Sequence, residues 1–131
     1  MDQDEIIARR QEALVFFKLG MKADRRGVHR TLNRSPKGKG WMQGVNMPEG
    51  LMCRPEKVRE AIEYYKKAYQ IFPDIVVLNQ IAIAYEMIGE LEAAHEHYTL
   101  MREQAERERN AAYSQGASMA LQRVRRGHGM K

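Results

Sequence analysis

The chain has 131 residues, of which 44% are hydrophobic and 30% charged, an ordinary composition for one folded domain. The absence of any apolar run of about 18 residues excludes a typical membrane-spanning helix, and the single cysteine, Cys53, excludes an intramolecular disulfide. The N-terminal residues also lack the basic start and apolar stretch of a signal peptide, so we expect a cytoplasmic protein with no membrane partner.

The net charge of +5 is unevenly distributed along the chain. Residues 28–55 hold five Lys/Arg against one acidic residue, and residues 123–131 hold four Lys/Arg and no acidic residue. Between them, residues 56–122 hold seven Lys/Arg against eleven Asp/Glu. The basic character therefore belongs to one internal segment and to the C-terminal tail, and not to the helical body.

Helical spacing of apolar residues predicts five helices, in chain order at about 3–26, 55–72, 75–88, 90–109 and 110–126. Either Asp2 or Asp4 is expected to cap the first helix, and Gly27 to end it. Pro55 stands at a favoured first-turn position of the second helix, and Gly89 ends the third. No segment shows the alternation of a strand, so the predicted fold class is all-α.

Residues 28–54 separate the first helix from the second and are rich in glycine, with two prolines and no apolar period. A loop of this length inside a compact domain tends to be functional or disordered. The segment is therefore predicted to be a long, basic, glycine-rich loop.

Small and aromatic residues recur at fixed spacings in the second, third and fourth predicted helices. Ala61, Tyr65 and Ala68 precede the helix-breaking Pro73, and the following residues continue the pattern: Leu78, Ile81, Ala82, Tyr85, Gly89, Ala94 and Tyr98. Small residues let two helices cross closely while the aromatic ring fills the space beside them. This pattern resembles the tetratricopeptide repeat, a unit of two antiparallel helices. It departs from the family pattern at Met101, where a small residue is usual.

The first helix carries a similar pattern in Phe16, Leu19, Gly20, Ala23 and Gly27. Its partner would be the helix that contains Ala61, so residues 28–54 form an insertion within the first repeat. The resemblance implies one domain over 1–131, a short α-solenoid of antiparallel helix-turn-helix repeats with about five helices. In this arrangement, residues 110–126 form a capping helix and residues 127–131 form a flexible basic tail. A generic helical bundle is the alternative.

In this family the first helices of the repeats line a concave groove that holds a peptide or a partner helix. The resemblance therefore implies a protein-interaction module, such as an adaptor, a scaffold or a chaperone-like subunit. The groove-facing candidates are Leu14, Phe17, Met21, Asp24, Val76, Asn79, Ile83, Glu86 and Met87. As an alternative, these side chains pack against the fifth helix or against a second copy of the chain.

The inserted loop offers a different hypothesis. Arg30, Arg34, Lys37 and Lys39 are candidates for phosphate contacts, and Trp41 for stacking on a base. Together with the basic C-terminal tail, the loop would make the protein a nucleic-acid-binding accessory factor. Trp41 is equally a candidate for anchoring a protein interface. A third interpretation is a solvated loop with Trp41 packed against its own domain.

Catalytic and metal-binding patterns are weak in this sequence. His95 and His97 are two residues apart on a predicted helix and point about 200° away from each other. Cys53 has no histidine near it in sequence, which favours an inert thiol. We therefore predict no enzymatic activity, no metal and no cofactor.

Overall fold

The computed structural model describes residues 2–30, 41–48 and 51–128. Five helices lie in these ranges: α1 Gln3–Arg26, α2 Pro55–Ile71, α3 Ile75–Met87, α4 Leu91–Arg107 and α5 Ala111–His128. Each helix packs against the next one along the chain, so the predicted all-α arrangement of successive helices is confirmed. No helix among the described residues is long and apolar enough to cross a membrane.

The helix ends follow from local chemistry. Asp2 caps α1 by accepting a hydrogen bond from the backbone N–H of Glu5 at 2.8 Å, and Asp74 caps α3 in the same way. Gly89 adopts a φ of +75° in the turn between α3 and α4, a conformation that favours glycine. The helix α5 continues two residues beyond its predicted end, so the predicted flexible tail is helical at its start. Residues 129–131 lie outside the described ranges.

The prediction of a strand-free insertion was wrong at both of its ends. Strand β1, Val28–Arg30, pairs antiparallel with β2, Leu51–Cys53, and Val28 lies opposite Cys53. Met42 pairs with Cys53 along the other edge of β2, because both backbone polar groups of Cys53 bond to Met42. Strands of three residues are too short to show a period in the sequence, and the partners are brought together by the packing of α1 on α2.

The first helical pair packs around one aromatic side chain. Tyr65 of α2 is buried against α1, and its ring lies 5.5 Å from that of Phe17. A Cβ atom at Gly20 would lie 2.6 Å from the Tyr65 ring, so only glycine allows the ring this close to α1. The small residues Ala61 and Ala68 are fully buried on the same helix. The small-and-aromatic pattern of the sequence thus corresponds to a close helix crossing.

The remaining core joins α3, α4 and α5. Tyr98 and Ala94 of α4 are buried, and α5 buries an apolar stripe that consists of Ala117, Ala120, Leu121 and Val124. The stripe follows helical spacing, and the opposite face of α5 is exposed, with polar residues and Met119, which is 61% exposed.

We predict that Gly20→Ala lowers the free energy of unfolding by about 1–3 kcal/mol, because the added methyl group overlaps the Tyr65 ring. Gly116→Ala is the matched control, since Gly116 also lies within a helix but nothing lies within 4 Å of its added Cβ. The free energy of unfolding of that control is expected to rise by about 0.5–1 kcal/mol, because alanine has a higher helix propensity than glycine. Urea unfolding followed by circular dichroism measures both, and equal shifts for the two variants would contradict the close crossing.

Candidate functional site

A groove runs between α1 and α3, with α2 beneath it. Its N-terminal half encloses about 470 Å³ and is lined by Arg10, Ala13, Leu14, Phe17, Phe72, Asp74, Val76 and Val77. Its C-terminal half encloses about 550 Å³ and is lined mainly by Met21, Asp24, Arg25, Val28, Tyr65, Gln80, Ile83 and Met87. Because residue numbers rise in the same direction along both walls, α1 and α3 run parallel. We call this surface the α1–α3 groove.

Most of the residues predicted to face a groove lie along this surface. Leu14, Phe17 and Val76 line its N-terminal half, while Met21, Asp24, Ile83 and Met87 line its C-terminal half. Asn79 does not line either half of this groove; with Ile83 it lines a smaller cavity of about 270 Å³ between α3 and α5. Leu14 is 49% exposed, Met21 42% and Val76 39%, so the groove presents apolar surface to solvent.

The prediction that Glu86 faces a partner is contradicted by its burial. Its side chain is fully buried and accepts hydrogen bonds from Tyr98 Oη at 2.7 Å and from Arg123 Nε at 2.6 Å and Nη2 at 2.8 Å. Hydrogen bonding to Glu86 raises the pKa of Arg123, so the guanidinium keeps its charge. Val76 near the start of α3 is exposed to solvent, whereas Glu86 near its end is covered by the Arg123 side chain of α5.

The described part of the insertion is docked on α3. Residues 41–48, which we call the docked strap, cross the end of α3, and the N–H of Val45 donates to the carbonyl of Glu86 at 3.3 Å. Cys53 Sγ donates to the carbonyl of Met87 at 3.3 Å. A Cβ atom at Gly44 would lie 1.7 Å from the same carbonyl oxygen, so the strap backbone lies directly against α3. Strap residues Asn46, Met47 and Pro48 form one wall of the groove.

The residues predicted to contact phosphate fall largely outside the described ranges. Arg34, Lys37 and Lys39 lie outside them, and Arg30 is in β1 with its side chain not described. Trp41 is partly buried, and the guanidinium of Arg54 lies 4.9 Å from the centre of its ring. The predicted phosphate contacts therefore stay predictions.

Asp24 is the polar group at the floor of the C-terminal half of the groove. Its Oδ2 accepts a hydrogen bond from Tyr65 Oη at 3.1 Å. Its Oδ1 is buried and has no hydrogen-bond partner among the residues that the structure describes. Burial raises the pKa of the Asp24 carboxyl above its ordinary value of 3.8, and the hydrogen bond from Tyr65 opposes that shift. The sequence indicated Tyr65 only as a packing residue, because its contact with Asp24 spans 41 positions.

The single thiol and the two neighbouring histidines each have their own surroundings in the described structure. Cys53 is fully buried, and burial raises its pKa to about 11, so the nucleophilic thiolate is scarce at neutral pH. His97 Nδ1 lies 2.8 Å from the carbonyl oxygen of Ala93, and His95 Nε2 lies 3.3 Å from Arg125 Nε, so the two rings have separate partners. Among the described residues no group of three or more His, Cys, Asp or Glu is placed to hold a metal ion.

Comparison with known proteins does not assign the chain to a family: no protein-family model, no curated protein and no solved structure matches it.

We predict that Asp24→Asn stabilises the chain at pH 7 and has no such effect in acid. The Asp24 carboxyl has a higher pKa in the folded chain than in the unfolded chain, so it ionises first in the unfolded chain as the pH rises. The wild type therefore loses stability as the pH rises from 3.8 through the raised pKa of the folded state. Tyr65 and Cys53, which face Asp24, have raised pKa values and titrate above neutrality. Thermal unfolding at several pH values measures the difference, and a variant less stable than wild type at pH 7 would contradict the burial cost.

We predict that Gly44→Ala speeds alkylation of Cys53 by iodoacetamide at pH 8 by about tenfold or more, because the methyl group lifts the strap from α3 and opens the thiol. Gly127→Ala is the control, since its added Cβ would make only ordinary contacts of 3.4 Å with Leu91 and Val45. The control is expected to react at the wild-type rate. Equal rates in all three proteins would mean that the strap does not protect Cys53.

Proposed function

We propose that the chain is a protein-interaction module of the tetratricopeptide type, which binds a peptide or a partner helix in the α1–α3 groove. The observation that carries the proposal is the row of exposed apolar side chains along the groove, represented by Leu14, Met21 and Val76. Folded monomers seldom leave a large contiguous apolar patch exposed unless it contacts a partner. An adaptor or scaffold role follows from such binding.

The shape of the groove supports an elongated ligand. Its wall on α1 extends from Arg10 to Arg25, which is about 22 Å at the rise of an α-helix. Sites for small molecules are compact pockets that enclose most of the ligand. A groove of this length with an apolar lining instead suits a peptide segment whose side chains enter it at intervals.

The lining is also adaptable. Met21 is exposed in the C-terminal half, and its flexible thioether side chain adjusts to ligands of different shape, while Met47 and Met87 line the same half but are largely buried. The N-terminal half has a firmer lining in Phe17 and Phe72, and Arg10 covers the Phe72 ring at 4.8 Å. We therefore expect firm apolar anchoring at one end and a more tolerant site at the other.

A cytoplasmic location belongs to the same proposal. It is supported by the single cysteine, which is buried and cannot pair within the chain. The nucleic-acid alternative rests mainly on Arg34, Lys37 and Lys39, which lie outside the described ranges, so we base the proposal on the groove.

We predict that Leu14→Asp abolishes selection of peptides from a phage-displayed library, because it places a charge in the apolar groove. Val15→Asp is the control: Val15 is the next residue of α1, is 57% exposed and lines none of the described cavities. Both changes lie on exposed surface, so each is expected to alter the free energy of unfolding by about 0.5 kcal/mol or less. The measurement is peptide enrichment over an unloaded support for wild type and both variants.

Two results would overturn the proposal. One is equal enrichment by wild type and Leu14→Asp. The other is a sedimenting mass that rises with protein concentration and returns to the monomer value in Leu14→Asp, which would assign the groove to a second copy of the chain. A salt-sensitive affinity for an oligonucleotide with no peptide selection would favour the nucleic-acid alternative.

A further inference from the structure

We propose that the α1–α3 groove is selective for peptide segments that place a lysine or arginine side chain against Asp24 and an apolar side chain in the N-terminal half of the groove. This inference rests on the proposed function and specifies the chemistry of the ligand. The ligand group must be a hydrogen-bond donor, because the buried atom without a partner among the described residues is a carboxylate oxygen.

The acceptor is Asp24 Oδ1. The other oxygen of the same carboxylate is already held by Tyr65 Oη at 3.1 Å, whereas Oδ1 is buried without a partner among the described residues. A buried carboxylate oxygen without a donor carries a desolvation cost that a bound donor removes. Tyr65 itself is held in place by its packing under Gly20, so the carboxylate is positioned before a ligand arrives.

The surroundings favour a charged donor over a neutral one. Among the described residues that line the C-terminal half, Arg25 is the one other ionisable Lys, Arg, Asp or Glu side chain, and it is exposed, while Gln80 and Asn46 carry neutral amides. The rest of the lining is apolar, including Met21 and Ile83. A cation that enters such a site forms a charge-assisted hydrogen bond, which is about twice as strong as a neutral one. Its methylene stem packs against the apolar walls.

The same wall of α1 sets the spacing between the two features of the ligand. Leu14 marks the centre of the apolar N-terminal half, and Asp24 lies ten residues further along the helix, about 15 Å away at the helical rise. An extended peptide covers this distance in about four or five residues. The ligand is therefore expected to carry its apolar anchor and its cation at that separation.

The test uses a panel of fluorescein-labelled synthetic peptides. Each peptide holds one leucine anchor and one lysine two to eight residues away. In its matched partner, norleucine replaces the lysine. Norleucine keeps the apolar stem of lysine and lacks the ammonium group. Affinities are measured by fluorescence anisotropy with the full-length chain.

We expect the lysine peptide at the matching spacing to bind wild type about tenfold more tightly than its norleucine partner. Asp24→Asn keeps the shape of the side chain and an acceptor for Tyr65, and it is expected to bind both peptides with about the affinity of wild type for norleucine. Because this variant is expected to be at least as stable as wild type at pH 7, loss of the preference cannot be ascribed to unfolding.

The failures of the two proposals are distinguishable. Equal binding of lysine and norleucine peptides by wild type, or an unchanged lysine preference in Asp24→Asn, would overturn the role of Asp24 and leave the groove function standing. If neither peptide binds and the library yields no sequence that depends on Leu14, then both proposals fail.

Discussion

Burial of the Glu86 carboxylate constrains the position of the elements around the end of α3. A carboxylate removed from water is tolerated only when it is paired and its oxygens accept hydrogen bonds. Here Arg123 of α5 supplies a charge and two donors, and Tyr98 of α4 supplies a third donor. One side chain of α3 is thus bound to both later helices. Because removing Arg123 would leave the fully buried Glu86 carboxylate without its cation, the pair fixes α5 relative to α3.

The same end of α3 also holds the insertion. The last carbonyl groups of a helix have no partner within the helix and must find one elsewhere. The carbonyl of Glu86 accepts a hydrogen bond from Val45, and that of Met87 accepts one from Cys53. The insertion therefore completes the C-terminal end of α3 while it contributes one wall to the groove. Its position, the burial of Cys53 and the shape of the groove depend on one another.

The fully buried carboxylate of Glu86 and the partly buried carboxylate of Asp24 have opposite relationships to the rest of the chain. Glu86 is neutralised from within by Arg123 and serves the packing of the helices. Asp24 has a hydrogen bond from Tyr65 but no cation bonded to it among the described residues, and its raised pKa shows that burial disfavours its charge. A charge that costs stability and lies in an open groove is better explained by binding than by folding. This contrast is why we assign selectivity to Asp24 and structure to Glu86.

Local chemistry was sufficient for predicting the helices. Caps such as Asp2, breakers such as Gly89 and the apolar period act over a few residues, so they can be read from the sequence. The spacing of Gly20, Ala61 and Tyr65 likewise indicated a close crossing, because such contacts require small residues beside an aromatic ring. Helical spacing also predicted the groove-facing side of each helix, with Leu14 and Met21 on α1 and Val76 on α3.

Tertiary packing alone decided the features that involve distant partners. The pairing of Val28 with Cys53, the docking of Gly44 on Met87 and the bond from Tyr65 to Asp24 join residues 25 to 43 positions apart. Glu86 is a charged residue within a predicted helix, and its burial follows from packing against α4 and α5, where Tyr98 and Arg123 donate hydrogen bonds to it. Periodicity describes which face of a helix is apolar, but which part of that face is covered depends on where the other elements lie.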